Sequence, residues 1–171
     1  YDLIMGGYGG TARGDGAEAV AAVMNCANIP VEMHESTTPI RIRSVAFIPD
    51  SAGIGEFRGG CGIRKDVELL AAQARVSLLS DRHKFEPYGL VGGGPGHVGE
   101  TVLVREGQEI ALGSKEMRSL IRGDVISFRL SGAGGFGPPE KRALAAIQHD
   151  IAEGYVTLAE VRRHYPQAAD L

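Results

Sequence analysis

The sequence has 171 residues and a mass of 18.1 kDa, which is the size of one domain. Apolar residues make up 43% of it and charged residues 23%, which argues against a disordered chain. No apolar run reaches the ~20 residues that a membrane span needs, and the net charge of −3 argues against a nucleic-acid-binding surface.

Glycine is far above its usual share, with 25 residues gathered in clusters. The first cluster lies within residues 1–16 and predicts a shaped loop, because glycine reaches backbone conformations that other residues avoid. Residues 17–26 are rich in helix formers and follow Asp15, a suitable N-cap, so they predict a short helix, with an extended segment as the alternative. The chain opens on Tyr1 rather than on Met, and we expect it to be part of a longer polypeptide.

Strands are predicted in the middle of the chain. The segments with strand-like composition are 40–48, 63–70, 74–80, 100–105 and 124–130. In the first of them Arg41 and Arg43 alternate with Ile40 and Ile42, as in a half-buried strand. Loops rich in glycine and proline separate the segments, and Glu106–Gly107 is predicted to be a turn. This pattern predicts an α+β fold with a β-rich, sandwich- or barrel-like body.

The end of the chain predicts helices. Pro138 and Pro139 suit the first turn of a helix, and apolar residues follow at positions 143, 144, 147 and 151 on one stripe. Gly154 is a natural helix end, and Thr157 with Glu160 forms a capping box for a second helix. We predict one domain in which a C-terminal helical hairpin, residues 139–171, packs on a glycine-rich β module, residues 1–138.

Residues 132–137 match the dinucleotide-binding pattern Gly-x-Gly-x-x-Gly. That fold needs a second strand after the helix, whereas Gly154 and another helix follow here. Pro138 and Pro139 also remove two amide donors from the helix start. The interpretation that we favour is a structural glycine turn. The phosphate-binding Walker pattern is absent from the sequence.

Glu32, His34 and Glu35 lie close together in the sequence. In a strand Glu32 and His34 would share a face, and in a loop all three could converge. They are either polar residues beside a strand or a contribution to an acid–base or metal site completed elsewhere in an assembly. The chain has no His-x-x-x-His pair and offers too few ligands for a catalytic metal of its own.

Two further pairs, Asp50 with Arg58 and Asp81 with Arg82, place a carboxylate and a guanidinium within or beside glycine-rich loops. As structural groups, the two members of each pair would bind each other and hold the loop. As functional groups, their arginines would bind a carboxylate or phosphate through two hydrogen bonds.

Cys26 and Cys61 are predicted to be buried small hydrophobic residues. Two cysteines without metal-ligand spacing fit a reducing compartment, and a cytoplasmic location is expected.

Longer motifs run through nearly the whole chain in a coherent order. They are Asn28-x-Pro30-x-Glu32-x-x-Glu35, Pro49-Asp50-Ser51-x-Gly53-x-Gly55-x-x-Arg58-Gly59-Gly60-x-Gly62, Ser80-Asp81-Arg82, Pro87-x-Gly89-x-x-Gly92-Gly93-x-Pro95-Gly96, Gly123-Asp124, Gly132 to Gly137, and Asp150-Ile151-x-x-Gly154-x-Val156-Thr157. Together they resemble the C-terminal part of the hydantoinase B/oxoprolinase family. One departure is Phe136 followed by Pro138, where the family usually has tyrosine and aspartate, so no role of those side chains is transferred.

The resemblance implies part of an ATP-dependent enzyme that hydrolyses a cyclic amide, as hydantoinases and 5-oxoprolinases do. It implies three partners: a hydantoinase A-type subunit that binds ATP and Mg, the remaining part of the B-type subunit, and a small-molecule substrate. Neither nucleic acid nor a membrane is expected as a partner. A divalent metal would belong to the N-terminal region of the B-type subunit, so this chain is expected to bind no cofactor alone, and we assign it no metal ligand. The alternatives are a subunit of an acetone- or acetophenone-type carboxylase and a purely structural subunit.

For an enzyme of this kind, His34 and Glu35 are the expected catalytic residues. Asp50, Arg58, Asp81 and Arg82 are the expected substrate-binding residues.

Overall fold

A computed structural model describes residues 2–20 and 29–171, and the fold in this part of the chain is α+β. A five-stranded antiparallel sheet has the order β1-β2-β7-β4-β5, and β3 pairs with β6 in a second sheet. The strands are β1 Ile40–Phe47, β2 Ile63–Leu69, β3 Gln73–Leu79, β4 Glu100–Arg105, β5 Gln108–Leu112, β6 Lys115–Ile121 and β7 Val125–Arg129. The helices are α1 Val31–Thr37, α2 Leu144–Ala152 and α3 Leu158–His164, with 3-10 turns at Pro139–Lys141 and Pro166–Ala168.

The two sheets bury one apolar core between them. Leu69, Leu103 and Ile126 from the larger sheet meet Leu78 and Leu120 from the smaller one. The described strands form two packed sheets rather than a closed barrel, so the sandwich-like version of the prediction is the correct one. The opposite face of the larger sheet is polar and carries ion pairs such as Arg43–Glu68 and Arg129–Glu100.

All five predicted strands are confirmed to within one residue at each end. The alternation in β1 is also confirmed, since Arg41 and Arg43 are exposed whereas Ile40 and Ile42 are half-buried. The turn at Glu106–Gly107 joins β4 to β5, and both of its residues have positive φ, 52° and 78°. Sequence analysis missed β5 and β6, because their residues are mostly polar or unbranched and lack the usual strand composition.

Two predictions near the start of the chain are wrong. Residues 17–20 are not helical, and the rest of the helix predicted over 17–26 lies outside the described residues. Asp15 caps no helix in the described part; its carboxylate accepts hydrogen bonds from the Arg58 amide and from Arg142. Residues 31–37 form α1 directly after Pro30, where the sequence suggests a strand or a loop.

The glycine run 132–137 passes through the middle of the surrounding loops. The Ala133 carbonyl accepts from the Gly53 amide at 2.8 Å, and the Gly135 carbonyl accepts from the Leu90 amide at 2.9 Å. A Cβ atom at Gly132 or at Gly134 would overlap a backbone carbonyl of a neighbouring loop. We call these residues and loops 51–60 and 88–96 the glycine core. The run is structural, as predicted, because close backbone packing requires glycine there.

The two predicted C-terminal helices are confirmed. Gly154 follows α2 with a φ of 75°, and the Thr157 hydroxyl accepts from the Glu160 amide at the start of α3. Ile147 is fully buried against Val161 and its neighbours, although Leu144, which the predicted stripe includes, is largely exposed. The division of the chain between residues 138 and 139 stays a prediction.

None of the helices in the described part of the chain has the length and apolar character that crossing a membrane requires.

Candidate functional site

His34 lies in a small polar cluster under α1. Its Nδ1 atom is 4.0 Å from Asp2 Oδ2, and the same carboxylate oxygen accepts from Lys65 Nζ at 2.7 Å. The His34 side chain is 13% exposed and that of Lys65 is 8% exposed. We call Asp2, His34 and Lys65 the His34 cluster.

The fold explains why this cluster forms. Lys65 is on β2, between Phe128 of β7 and Val45 of β1 in the register. A buried ammonium group is costly unless it is paired, and Asp2 supplies the partner. His34 Nδ1 is inaccessible and has no hydrogen-bond partner among the described residues. The cluster therefore brings an imidazole, an ammonium and a carboxylate group together in a largely buried position.

Glu35 has a different role in the structure. Its Oε1 atom accepts from the Ile42 amide at 2.6 Å, which ties α1 to the edge strand β1. Glu32, two residues before His34 on the helix, is exposed and points away from the cluster, since residues at i and i+2 do not share a helix face. Glu32 and His34 therefore do not share a face, as they would in a strand.

Arg58 is part of a buried ion network with Arg142. Arg58 binds Glu18 at 2.7 Å and Asp150 at 3.3 Å. Arg142 binds Asp15 and the second oxygen of Asp150, both at 2.7 Å. We call these five residues the arginine network. The predicted pairing of Asp50 with Arg58 is wrong, because Arg58 uses these carboxylates instead.

The network joins the N-terminal loop, the glycine core and α2. Burial by itself raises the pKa of Asp15, but hydrogen bonds and charges from Arg142 and Arg58 outweigh it and hold the pKa below its ordinary value. Arg142 also donates to the Glu56 carbonyl at 3.0 Å. This geometry gives Arg58 a structural role, and its contact with a substrate stays a prediction.

The other three predicted residues lie elsewhere. Asp50 has a φ of 61° and accepts from the amide and hydroxyl of Thr157, the N-cap residue of α3, so it holds the start of that helix. Asp81 is 90% exposed and pairs with Lys115 at 3.4 Å, so the predicted pairing of Asp81 with Arg82 is wrong. The Arg82 carbonyl accepts from the Gly99 amide. These residues do not join His34 in one constellation, and their contact with a substrate stays a prediction.

Cys61 is fully buried, as predicted, and Cys26 lies outside the described residues. Burial raises the pKa of the Cys61 thiol to about 12, and the nearby Glu18 carboxylate adds to this effect. The thiol is therefore protonated at neutral pH.

We expect Cys61 to resist alkylation in the folded protein. In a Cys26→Ser background, iodoacetamide at neutral pH should leave the mass unchanged and should add one label in guanidinium chloride, because the thiol is buried and protonated. Intact mass spectrometry measures both states. Rapid labelling without denaturant would contradict the burial of this side chain.

Among residues 2–20 and 29–171, no three His, Cys, Asp or Glu side chains are placed to hold a metal ion together.

A family model described as hydantoinase B/oxoprolinase matches residues 1–139. The chain belongs to the hydantoinase B/oxoprolinase family. Among its relatives is a putative D-/L-hydantoinase B-type subunit of Pseudomonas sp. (strain NS671), 31% identical over 91% of this chain and 27% of its own length. A 5-oxoprolinase of Dictyostelium discoideum is 34% identical over 80% of this chain and 11% of its own length. The chain therefore spans about a quarter or less of the length of these relatives.

Two solved structures share the fold of this family member. An ATP-dependent caprolactamase from Pseudomonas jessenii superposes with a TM-score of 0.83 and 23% identity, over 95% of this chain and 29% of its own. A nucleotide-free acetone carboxylase superposes with a TM-score of 0.76 and 23% identity, over 94% of this chain and 26% of its own. Both likenesses support the architecture described above.

Proposed function

We propose that this chain is part of an ATP-dependent cyclic-amide hydrolase of the hydantoinase/5-oxoprolinase type. The observation that carries the proposal is family membership, together with relatives named as a hydantoinase subunit and a 5-oxoprolinase. The caprolactamase fold is consistent with it, since caprolactam is itself a cyclic amide. The reaction adds water across the ring C–N bond, and ATP hydrolysis drives it.

In this proposal ATP and Mg bind to a hydantoinase A-type partner. The chain itself contributes a rigid frame and His34. Its sequence carries no Walker pattern, so we expect the isolated chain to have no ATPase activity.

His34 is the better supported of the two expected catalytic residues. Its Nδ1 atom is inaccessible and faces Asp2, so the remaining exposure of the ring belongs to its other atoms. The ring would accept a proton from the attacking water and hold it with the help of the Asp2 carboxylate. Glu35, whose carboxylate oxygen binds the Ile42 amide, would support the position of α1.

The test is an assay of the purified assembly with all its polypeptides identified by intact mass. ATP-dependent ring opening of 5-oxoproline or hydantoin, without added bicarbonate, would support the proposal. Turnover that requires bicarbonate would favour the carboxylase alternative, to which the acetone carboxylase fold gives some weight. Turnover of neither kind on any substrate class would contradict both.

We expect His34→Ala to lower the turnover of the assembly by roughly a hundredfold or more, the usual contribution of a positioned acid–base group. The matched control is Glu32→Ala, on the exposed side of the same helix, which should retain activity. Steady-state rates and size-exclusion chromatography are measured for both variants. Wild-type turnover in His34→Ala, or an assembly that falls apart, would remove His34 from the chemistry.

A further inference from the structure

One loop exposes several large apolar side chains on the same stretch of chain. Phe85 is 76% exposed, Tyr88 71%, Val91 70% and Leu90 51%. The chain has five Phe, five Tyr and no Trp, so it places two of its few aromatic residues in solvent here. Isolated exposed apolar residues are ordinary on protein surfaces, but a group of this kind marks an interaction site. We call Phe85, Tyr88, Leu90 and Val91 the apolar loop surface.

The glycine core holds this loop in place. The Leu90 amide donates to the Gly135 carbonyl at 2.9 Å, and the Leu90 carbonyl accepts from the Gly137 amide at 3.0 Å. The Tyr88 backbone lies so close to Gly134 that no side chain fits between them. Because the backbone is fixed on both sides of the turn, the side chains of Tyr88, Leu90 and Val91 cannot turn inward by a loop rearrangement that leaves the glycine core intact.

Val91 is held in an unfavourable backbone conformation. Its φ is 54° and that of Gly92 is 93°, and the Gly93 amide closes the turn on the Leu90 carbonyl at 2.9 Å. A β-branched residue is a genuine outlier at such a φ, where glycine or asparagine is favoured. Since the side chain is largely exposed, contacts within the described part of this chain do not compensate for that strain. Such an outlier points to a function outside the local fold.

We propose that the apolar loop surface is an interface for the rest of a hydantoinase B-type polypeptide, and this inference rests on the proposed function. The chain covers 27% of the hydantoinase subunit relative and 29% of the caprolactamase chain, so most of such a polypeptide lies outside it. An apolar surface of two aromatic and two aliphatic side chains, with the backbone fixed at Tyr88 and Leu90, fits the apolar centre of a permanent interface better than that of a transient one.

The strain at Val91 allows a test in which one substitution should stabilise the isolated chain and weaken the assembly. Val91→Gly relieves the unfavourable φ, so the isolated chain should unfold at a higher temperature or denaturant concentration. The same substitution removes an interface side chain, so the assembly of this chain with the separately produced remainder of the B-type polypeptide should dissociate at roughly tenfold or higher concentration than wild type. Tyr88→Ala should weaken the assembly similarly with little effect on the isolated chain. Denaturant unfolding and analytical ultracentrifugation measure the two properties.

The matched control is Met117→Ala, which is 65% exposed on the separate β3–β6 sheet and should leave assembly unchanged. Hydroxyl-radical footprinting should show Phe85 and Tyr88 protected in the assembly and reactive in the chain alone. Wild-type assembly in both loop variants would overturn the proposal. So would protection that comes only from a second copy of this chain or from the A-type subunit. If the assembly forms through this surface but hydrolyses no cyclic amide, the interface stands and the proposed function fails.

Discussion

Gly134→Ala is expected to prevent this chain from folding at neutral pH, the largest single-residue effect that we expect. A Cβ atom at residue 134 would overlap the Tyr88 carbonyl, and the atoms that obstruct it belong to backbone rather than to a flexible side chain. Relief requires that loop 88–96 separate from the glycine run, which breaks hydrogen bonds such as Leu90 to Gly135. We expect a loss of about 4 kcal/mol or more, comparable to the whole stability of many domains.

Two other glycines provide graded controls. A Cβ atom on Gly14 would have no neighbouring atom within 4 Å, and the φ of this residue is not positive, so Gly14→Ala should change stability by no more than about 0.5 kcal/mol. A Cβ atom on Gly107 would also have no neighbouring atom within 4 Å, but the φ of this residue is 78°. Gly107→Ala should therefore lower the free energy of unfolding by roughly 1 kcal/mol through backbone strain alone. Urea unfolding followed by circular dichroism ranks the three variants. A stably folded Gly134→Ala protein would contradict the close packing of the glycine core.

Local patterns were enough to predict much of this fold. The strands β1, β2 and β7 carry either alternation or β-branched residues, and the ends of α2 and α3 carry Gly154 and a capping Thr157. Helix α1 has only seven residues and none of them is buried, so it has no apolar stripe to recognise. Strand β6 was missed because its stability comes from pairing with β3 rather than from its own composition.

The candidate site was less predictable, because its partners are distant in sequence. His34 was identified from its neighbours, but Asp2 and Lys65 were not, since the ion pair that joins them spans 63 positions. Arg142 and Asp15 are separated by 127 positions, and no spacing rule connects them. The residue types give a partial signal, because a charged side chain that is buried needs a partner, but sequence alone does not identify the partners of Arg142 and Asp150.

Arg142→Ala is expected to destabilise the fold by about 3–5 kcal/mol, the usual cost of removing one partner from a buried ion pair. The Arg142 side chain is 1% exposed and that of Asp150 is 3% exposed, so the variant leaves a carboxylate oxygen of Asp150 without its partner where water cannot easily reach it. Arg163→Ala is the matched control, because that side chain is 66% exposed and pairs with Glu160 on its own helix. The control should lose no more than about 0.5 kcal/mol.

The effect of Arg142→Ala should also depend on pH. In the wild type the pKa of Asp15 is lowered, so its pairing stabilises the fold above the ordinary carboxyl pKa of 3.8 and this contribution is lost as the pH falls below it. In the variant Asp15 keeps the Arg58 amide but loses both hydrogen bonds from Arg142, so it retains less of this contribution. The difference in unfolding free energy between the two proteins should therefore hold from pH 7 to about 4 and shrink as the pH falls further. Urea titrations across this range measure it. A difference that stays constant or grows below pH 3.8 would mean that Arg142 stabilises the fold by packing and not by charge.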